Sequence, residues 1–203
     1  MHGFPRLASI LIALLSISPA VVAEEEDDAE LARALERIPP TPASEAKSTF
    51  RLHPDFVIEL VASEPDVIDP VDMAFDENGR AFVVEMRDYP FTLEEGNMTR
   101  SDEAKKQPNG RIRLLEDTDG DGSFDRSRVF VDDLHWPTGV ACYKGGVVIA
   151  QAPVILYAAD RDGDGKADEK RVLFEGFGTR NVQALVNGLE WGPDVRLWAL
   201  NGG

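Results

Sequence analysis

The chain has 203 residues, of which 43% are hydrophobic and 29% are charged, a composition typical of a globular protein. Its formal net charge of −16 at pH 7 excludes nucleic acid as a partner, because a polyanion would be repelled and the sequence has no basic stripe. The single cysteine, Cys142, excludes an internal disulfide and, among apolar neighbours, predicts a buried thiol. The sequence also has no Cys-x-x-Cys-His motif for attaching a c-type haem.

Residues 1–23 are typical of a signal peptide. Arg6 supplies a positive charge, residues 7–17 are apolar but too short to span a bilayer comfortably, and residues 21–23 resemble a signal-peptidase site. An uncleaved membrane anchor is the alternative. We therefore expect an exported protein, periplasmic or secreted.

Residues 24–48 predict a flexible leader. The stretch is acidic and then proline-rich, and its apolar content is too low to offset the entropy of ordering. Residues 30–37 have the composition of two helical turns, which Pro39 and Pro40 would end.

Residues 49–203 predict an all-β domain. Short runs of β-branched, aliphatic and aromatic residues alternate with Gly, Asp, Asn and Pro, without a useful amphipathic helix between them. We predict strands at residues 57–61, 81–85, 111–115, 129–131, 147–150, 154–157, 172–174 and 195–200.

The predicted strands recur as units. The acidic segment 117–125 and the strand after it are repeated 43 residues further along, beginning at Asp160. A strand–turn–strand pattern also occurs three times, in residues 73–84, 140–149 and 189–199. A period in the forties with about four strands per unit is typical of β-propeller blades.

The sequence contains about two and a half such blades, whereas roughly four to eight are needed to close a propeller ring. One blade cannot bury both of its faces alone. We therefore predict a partial β-propeller and expect the chain to be a fragment of a longer protein. A complete small β-sandwich is the alternative.

The first two units each carry an aspartate-rich loop with carboxylates at positions 1, 3, 5 and 9. Calcium takes about six to eight hard oxygen ligands, and alternate carboxylates on a curling backbone converge on one point. The glycines between them permit the curl, and the carbonyl of Ser123 or Lys166 would add a ligand. The predicted metal ligands are Asp117, Asp119, Asp121, Asp125, Asp160, Asp162, Asp164 and Asp168.

These loops are not EF-hands, because position 12, where an EF-hand has a bidentate Glu, is Arg128 in one loop and Arg171 in the other. The shorter Asp-x-Asp-x-Asp-Gly-x-x-Asp pattern is similar to the calcium hairpins of FG-GAP propeller repeats. The alternative is a polar, solvated turn. Close packing of four carboxylates favours a cation, and we predict that calcium stabilises each hairpin.

Several motifs in one order resemble a known family. They are residues 69–80 (DPVDMAFDENGR), 83–90 (VVEMRDYP), 110–115 (GRIRLL), 136–140 (WPTGV) and 176–183 (GFGTRNVQ). Together they resemble the N-terminal domain of the membrane-bound dehydrogenases of Planctomycetes and Verrucomicrobia. The resemblance extends from about residue 50 to the last residue.

This resemblance implies an exported propeller of about six blades, related to sugar-dehydrogenase-like propellers that use pyrroloquinoline quinone (PQQ). It also implies missing downstream domains, among them a cytochrome c segment, and a sugar or polyol substrate for the complete protein. The catalytic residues are unknown, since neither His53 nor His135 lies in a catalytic motif.

Charged and amide side chains near predicted strand ends are the candidates for a cofactor site. Glu85, Arg87 and Asp88 lie where one strand ends, and guanidinium and amide groups bind carboxylates or sugar hydroxyls well. Loop-capping hydrogen bonds are the alternative role. The predicted cofactor-binding residues are Arg87, Arg180, Asn181, Gln183 and Asn187.

Two functions follow from the sequence. The first is a calcium-binding propeller domain of a quinone-dependent sugar or alcohol oxidoreductase, inactive as this chain alone. The second is a non-catalytic binding or adhesion propeller that calcium stiffens.

Overall fold

The computed structural model describes residues 39–87, 89 and 108–202. The predicted signal peptide (1–23) and helical turns (30–37) lie outside the described residues. One compact unit comprises residues 43–203. It begins with a short helix, α1 (Ala43–Ala46), and a 3-10 turn (Lys47–Thr49), and a second 3-10 turn is found at Val182–Ala184. No helix within the described ranges is long and apolar enough to cross a membrane.

Ten strands in three antiparallel sheets make up the rest of this unit, which confirms the all-β prediction. The first sheet has the order β1 (Pro70–Phe75), β2 (Ala81–Glu85), β3 (Gly110–Glu116) and β4 (Arg126–Leu134). The second has the order β5 (Gly139–Tyr143), β6 (Gly146–Gln151), β7 (Val154–Ala159) and β8 (Glu169–Glu175). The third pairs β9 (Asn187–Trp191) with β10 (Leu197–Leu200). Two four-stranded meanders and two strands of a third are the arrangement of a partial β-propeller.

The two complete sheets have equivalent registers. Phe75 on β1 pairs with Ala81 on β2, and Cys142 on β5 pairs with Val147 on β6. The first strands of the three sheets lie side by side, with β5 next to both β1 and β9. The sheets therefore follow one another around a common axis, each starting from its innermost strand.

The apolar core lies between successive sheets. Phe82, Val84 and Ile112 of the first sheet join Val147 and Ile149 of the second in one buried cluster. A second cluster lies on the other side of the second sheet and includes Ala141, Val148, Ile155, Tyr157, Trp136, Leu185 and Leu189. All residues of β2, and all of β6 except Gln151, are buried, and full burial of each large aliphatic side chain in them contributes about 1.5–3 kcal/mol.

Two of the predicted strands include residues that the structure does not place in a strand. Residues 57–61 have the composition of a strand but form none, because the described residues provide no neighbouring strand for their backbone. The last strand begins at Leu197, two residues later than predicted, because the turn after Trp191 includes Val195 at a positive φ of 62°.

Candidate metal centre

The two acidic loops occupy the same place in successive sheets. The first joins β3 to β4 and the second joins β7 to β8, each between the third and outermost strands. Each loop closes with the same backbone hydrogen bond: Asp125 N–H donates to Glu116 C=O at 3.1 Å, and Asp168 N–H donates to Ala159 C=O at 3.1 Å. Equivalent sequences therefore form equivalent hairpins.

The first aspartate of each loop organises its backbone. Asp117 Oδ1 accepts a hydrogen bond from Gly120 N–H at 2.6 Å, and its Oδ2 accepts one from Gly122 N–H at 3.0 Å. Asp160 repeats this pattern in the second loop, with N–H donors at 2.6 and 2.8 Å. The four donor glycines have φ between 78° and 91°, a region that side chains with a Cβ rarely adopt. The alternation of Asp and Gly is therefore required by the curl of the loop.

These backbone donors stabilise the charged form of the first aspartate. The N–H groups of Gly122 and Gly120 lower the pKa of Asp117 below its ordinary value. For Asp160, burial acts to raise the pKa, but the N–H groups of Gly165 and Gly163 outweigh it and the pKa is lowered. Both carboxylates therefore carry a full negative charge at neutral pH, as a metal ligand requires.

Three of the four predicted carboxylates in each loop come together. In each group, one carboxylate oxygen per residue lies within 4.8 Å of the others. The two groups are Asp117, Asp119 and Asp125 in the first loop, and Asp160, Asp162 and Asp168 in the second.

The fourth predicted ligand of each loop lies outside these groups. Asp121 Oδ1 accepts a hydrogen bond from Ser123 N–H at 2.8 Å, and Asp164 Oδ1 accepts one from Lys166 N–H at 2.8 Å. Each of these side chains thus forms a local Asx turn. Asp119 and Asp162, which belong to the clusters, accept equivalent hydrogen bonds from Asp121 N–H and Asp164 N–H at 3.2 Å, so a ligand role for the fourth aspartate of each loop stays a prediction.

The chemistry of the clusters suits a hard cation. Three carboxylate oxygens so close together repel one another, and a divalent ion with oxygen ligands relieves this repulsion. The arginines at position 12 each pair with a neighbouring glutamate: Arg128 Nη2 lies 2.7 Å from Glu116 Oε2, and Arg171 Nε lies 3.3 Å from Glu169 Oε1.

Each loop also makes hydrogen bonds to residues that precede its own sheet in the chain. Ala167 N–H donates to Phe130 C=O on β4 at 2.8 Å. Arg128 Nη1 donates to Asp164 C=O at 2.5 Å. In the first loop, Phe124 N–H donates to Val61 C=O at 3.1 Å. The second loop is therefore part of the contact between the two complete sheets.

Three of the five predicted cofactor residues line clefts among the described residues, and these clefts are two. Arg180 and Asn181 line a cleft of about 470 Å³, together with Gly178, Ala184 and Gly202. Asn187 lines a different cleft of about 300 Å³, next to Thr138.

Two of these candidates make local contacts. Asn181 Oδ1 accepts a hydrogen bond from Gln183 N–H at 3.0 Å and caps the 3-10 turn Val182–Ala184. Gln183 Nε2 donates to Tyr89 Oη at 3.2 Å. Arg87 is half-buried just after β2. The cofactor role of all five residues stays a prediction.

Cys142 has the environment of a packing residue. It is partly buried against the core between the first two sheets. Burial raises the pKa of its thiol to about 11, so that the thiolate is scarce at neutral pH.

A buried ion cluster involving Glu85 was not anticipated from the sequence. The Glu85 side chain is fully buried and lies 3.1 Å from Arg113 Nε and 3.7 Å from Arg111 Nε. Its Oε1 also accepts a hydrogen bond from Ile68 N–H at 2.9 Å. The sequence signal is the alternation Arg111-x-Arg113 on β3, which places two arginines on the face that receives Glu85.

The fold and the paired acidic loops define the class: a partial β-propeller with candidate cation sites in its outer hairpins. Residues 42–203 match a family described as a domain of unknown function (DUF7133), and the chain belongs to this family. This description names no activity. No curated protein matches the chain.

Proposed function

We propose that this chain is the calcium-binding propeller domain of an exported, dehydrogenase-like protein. The observation that carries the proposal is the gathering of three carboxylate oxygens within 4.8 Å in each of two equivalent loops. Calcium fits this all-oxygen donor set, and extracellular calcium modules bind with Kd of about 10⁻⁴–10⁻³ M.

The ion would act structurally. The second loop already contacts the first sheet through its backbone at Ala167 and through Asp164 C=O. A cation held by Asp160, Asp162 and Asp168 would fix the loop in the conformation that makes those contacts. Calcium would thus stiffen both the hairpin and the junction between successive sheets.

The oxidoreductase part of the proposal concerns the complete protein. It is supported by the resemblance of residues 50–203 to the membrane-bound dehydrogenases. It is also supported by the cleft at Arg180, whose guanidinium would bind a carboxylate of PQQ. PQQ, when bound, would supply the two-electron oxidation of a sugar or alcohol. Of the described residues that line this cleft, none is a histidine or a carboxylate, so a catalytic base would come from another part of the protein.

A non-catalytic propeller is the second candidate. It is favoured by the local hydrogen bonds of Asn181 and Gln183, which already engage polar groups that a cofactor would use. In that case calcium stiffens a scaffold for binding another molecule.

Titration calorimetry with calcium tests the metal site. We expect about two sites per chain in the Kd range of extracellular modules. Asp119→Asn and Asp162→Asn should each remove one site, because each removes a clustered carboxylate. Asp121→Asn and Asp164→Asn are matched controls in the same loops, and both sites should remain. Absence of binding heat in the unaltered chain, or equal losses in the controls, would refute the metal proposal.

Reconstitution of the complete protein with PQQ tests the oxidoreductase proposal. We expect dye reduction with at least one member of a panel of sugars and polyols, and a lower rate in Arg180→Ala. Arg196→Ala, at an exposed position outside the cleft, is the control and should keep the rate. No dye reduction with any member of the panel favours the non-catalytic propeller.

A further inference from the structure

A polar cleft of about 300 Å³ lies where the first strands of the three sheets come together. Four polar side chains line it: Asp72 on β1, Thr138 just before β5, and Asn187 and Glu190 on β9. Its volume is at the small end of the range for ligand pockets. The cleft is therefore built by residues distant in the chain and has room for a small molecule.

Backbone N–H groups hold the carboxylate of Asp72 in place. Its Oδ2 accepts a hydrogen bond from Val140 N–H at 2.9 Å, and its Oδ1 accepts one from Met73 N–H at 2.8 Å. A carboxylate has about four lone-pair positions, so each oxygen can accept a further hydrogen bond. Asp72 is half-buried, and water and salt screen its charge less than that of an exposed carboxylate. Asp72 is therefore a fixed acceptor for a donor in the cleft.

The hydroxyl of Thr138 can only accept a hydrogen bond from a ligand. Its Oγ1 donates to Val186 C=O, and it also lies 3.3 Å from Ala150 C=O. A hydroxyl has one hydrogen to donate, and these two carbonyls already compete for it. Only the lone pairs of Oγ1 remain for a further partner.

The charges of this cleft are all negative. The described residues that line it include two carboxylates, Asp72 and Glu190, and no lysine, arginine or histidine. Neither Glu190 nor Asn187 makes a side-chain hydrogen bond to another described residue, so both can contact a ligand. A ligand with carboxylates, such as PQQ, would be repelled here, unlike in the cleft at Arg180. The lining thus favours a cation that donates hydrogen bonds.

We propose that this cleft binds a small ligand through a primary ammonium group. An ammonium has one positive charge and three N–H donors, and the carboxylates of Asp72 and Glu190 with Oγ1 of Thr138 supply matching acceptors. The amide of Asn187 would contact a neighbouring polar group of the ligand. Amino sugars and diamines both carry an ammonium group. The proposal depends neither on calcium in the acidic loops nor on a quinone at Arg180.

NMR titration of the chain with glucosamine and with 1,4-diaminobutane tests the proposal, at a slightly acidic pH at which the amines are protonated. The amides of Met73 and Val140 are the reporters, because each donates to Asp72. We expect at least one amine to shift their resonances with a Kd of about 1 mM, as suits a ligand of this size. N-acetylglucosamine, which has the same ring without the charge, should cause no shift.

The two amines distinguish the sources of the ammonium group. Tighter binding of glucosamine would show that sugar hydroxyls add to the recognition and would identify an amino sugar. Equal or tighter binding of 1,4-diaminobutane would identify the ammonium group alone as the recognised feature.

Substitutions in the cleft locate the ammonium group. Glu190→Gln replaces an exposed carboxylate without a partner among the described residues, so the fold should be kept, and the Kd should rise about fivefold. Asp72→Asn removes the more buried charge and should raise the Kd about tenfold or more. Glu175→Gln, at an exposed position outside the cleft, removes the same charge and should leave the Kd within about twofold.

The calcium-loop variants Asp119→Asn and Asp162→Asn should also keep the amine affinity, so that this proposal and the metal proposal fail separately. Three results would overturn the ammonium site. The first is no shift at Met73 and Val140 with either amine. The second is equal binding of N-acetylglucosamine, which would show that the charge is not recognised. The third is an equal loss in Glu175→Gln and Glu190→Gln, which would assign the binding to the overall negative charge of the chain.

Discussion

Arg128 on the first sheet donates a hydrogen bond from Nη1 to Asp164 C=O in the acidic loop of the second sheet at 2.5 Å. Its Nη2 donates to Glu116 Oε2 at 2.7 Å. The arginine thus joins the end of the first acidic hairpin to the middle of the second. One side chain therefore links the second candidate metal loop to the strands that flank the first.

Arg128→Ala should lower the free energy of unfolding by about 1–2 kcal/mol, because a charged hydrogen bond between the sheets is lost and the partly exposed ion pair adds little. Urea denaturation of the purified chain measures this value. Arg126→Ala is the control: Arg126 also approaches Glu116, at 3.7 Å, but is more exposed, and its loss should cost less than about 0.5 kcal/mol. Equal costs for the two variants would contradict the role given to Arg128.

Gly165→Ala should destabilise the chain more than Gly163→Ala. Both glycines have φ near 84°, so both substitutions carry a backbone cost of about 1 kcal/mol. A Cβ at Gly165 would also come within 2.4 Å of Arg128 Nη1, whereas a Cβ at Gly163 meets nothing within 4 Å. In the Arg128→Ala background the two costs should converge, which a double-mutant cycle measures. A difference that persists without Arg128 would show that the contact is not the cause.

Glu85→Gln should cost about 2–4 kcal/mol, because it removes the charge that two largely buried arginines face. Thermal and urea unfolding both report this loss. Glu77→Gln, at an exposed turn position, is the control and should be close to neutral. If the Glu85→Gln protein were as stable as the control, the guanidinium groups of the two arginines would be stabilised by water rather than by Glu85.

Much of the fold is encoded locally. The strand runs at 81–85, 111–115 and 147–150 lie within β2, β3 and β6, because alternation and β-branched residues predict strands that end up between neighbours. The repeat of the acidic loop gave the equivalence of the first two sheets. These features depend on residues close together in the chain.

The errors concern partners distant in the chain. Residues 57–61 have a strand-like sequence, but a strand also needs a neighbouring backbone, which their sequence does not reveal. Similarly, the role of Glu85 depends on the register that places β3 arginines against it. The ligand roles of Asp121 and Asp164 stay predictions, since their side chains make the same kind of turn as the clustered Asp119 and Asp162.

Stability without calcium should fall as the pH decreases below about 4. The pKa values of Asp117 and Asp160 are lowered from 3.8 in the folded chain, so their contribution is present above 3.8 and is lost as the pH falls through the folded values. A double variant with Asp117→Asn and Asp160→Asn should show a weaker dependence of the unfolding free energy on pH, between about 4 and 2, than the unaltered chain.

Asp76, whose pKa is also lowered, should supply part of the slope that remains in this double variant. Burial opposes the shift, but hydrogen bonds from Arg80 outweigh it. Denaturation in a chelator, at a series of pH values, measures both slopes. If the unfolding free energy depended on pH equally in the unaltered chain and in the double variant, backbone N–H groups would not stabilise the two loop carboxylates.

A crystal structure of the chain grown with calcium, with anomalous scattering to locate the ions, tests the central claim most directly. We predict one ion in each loop, about 2.3–2.6 Å from oxygens of Asp117, Asp119 and Asp125 in the first. The second ion should lie at equivalent distances from Asp160, Asp162 and Asp168. If the loops keep the same hydrogen bonds but show no anomalous peak at millimolar calcium, they are polar turns and the account is contradicted.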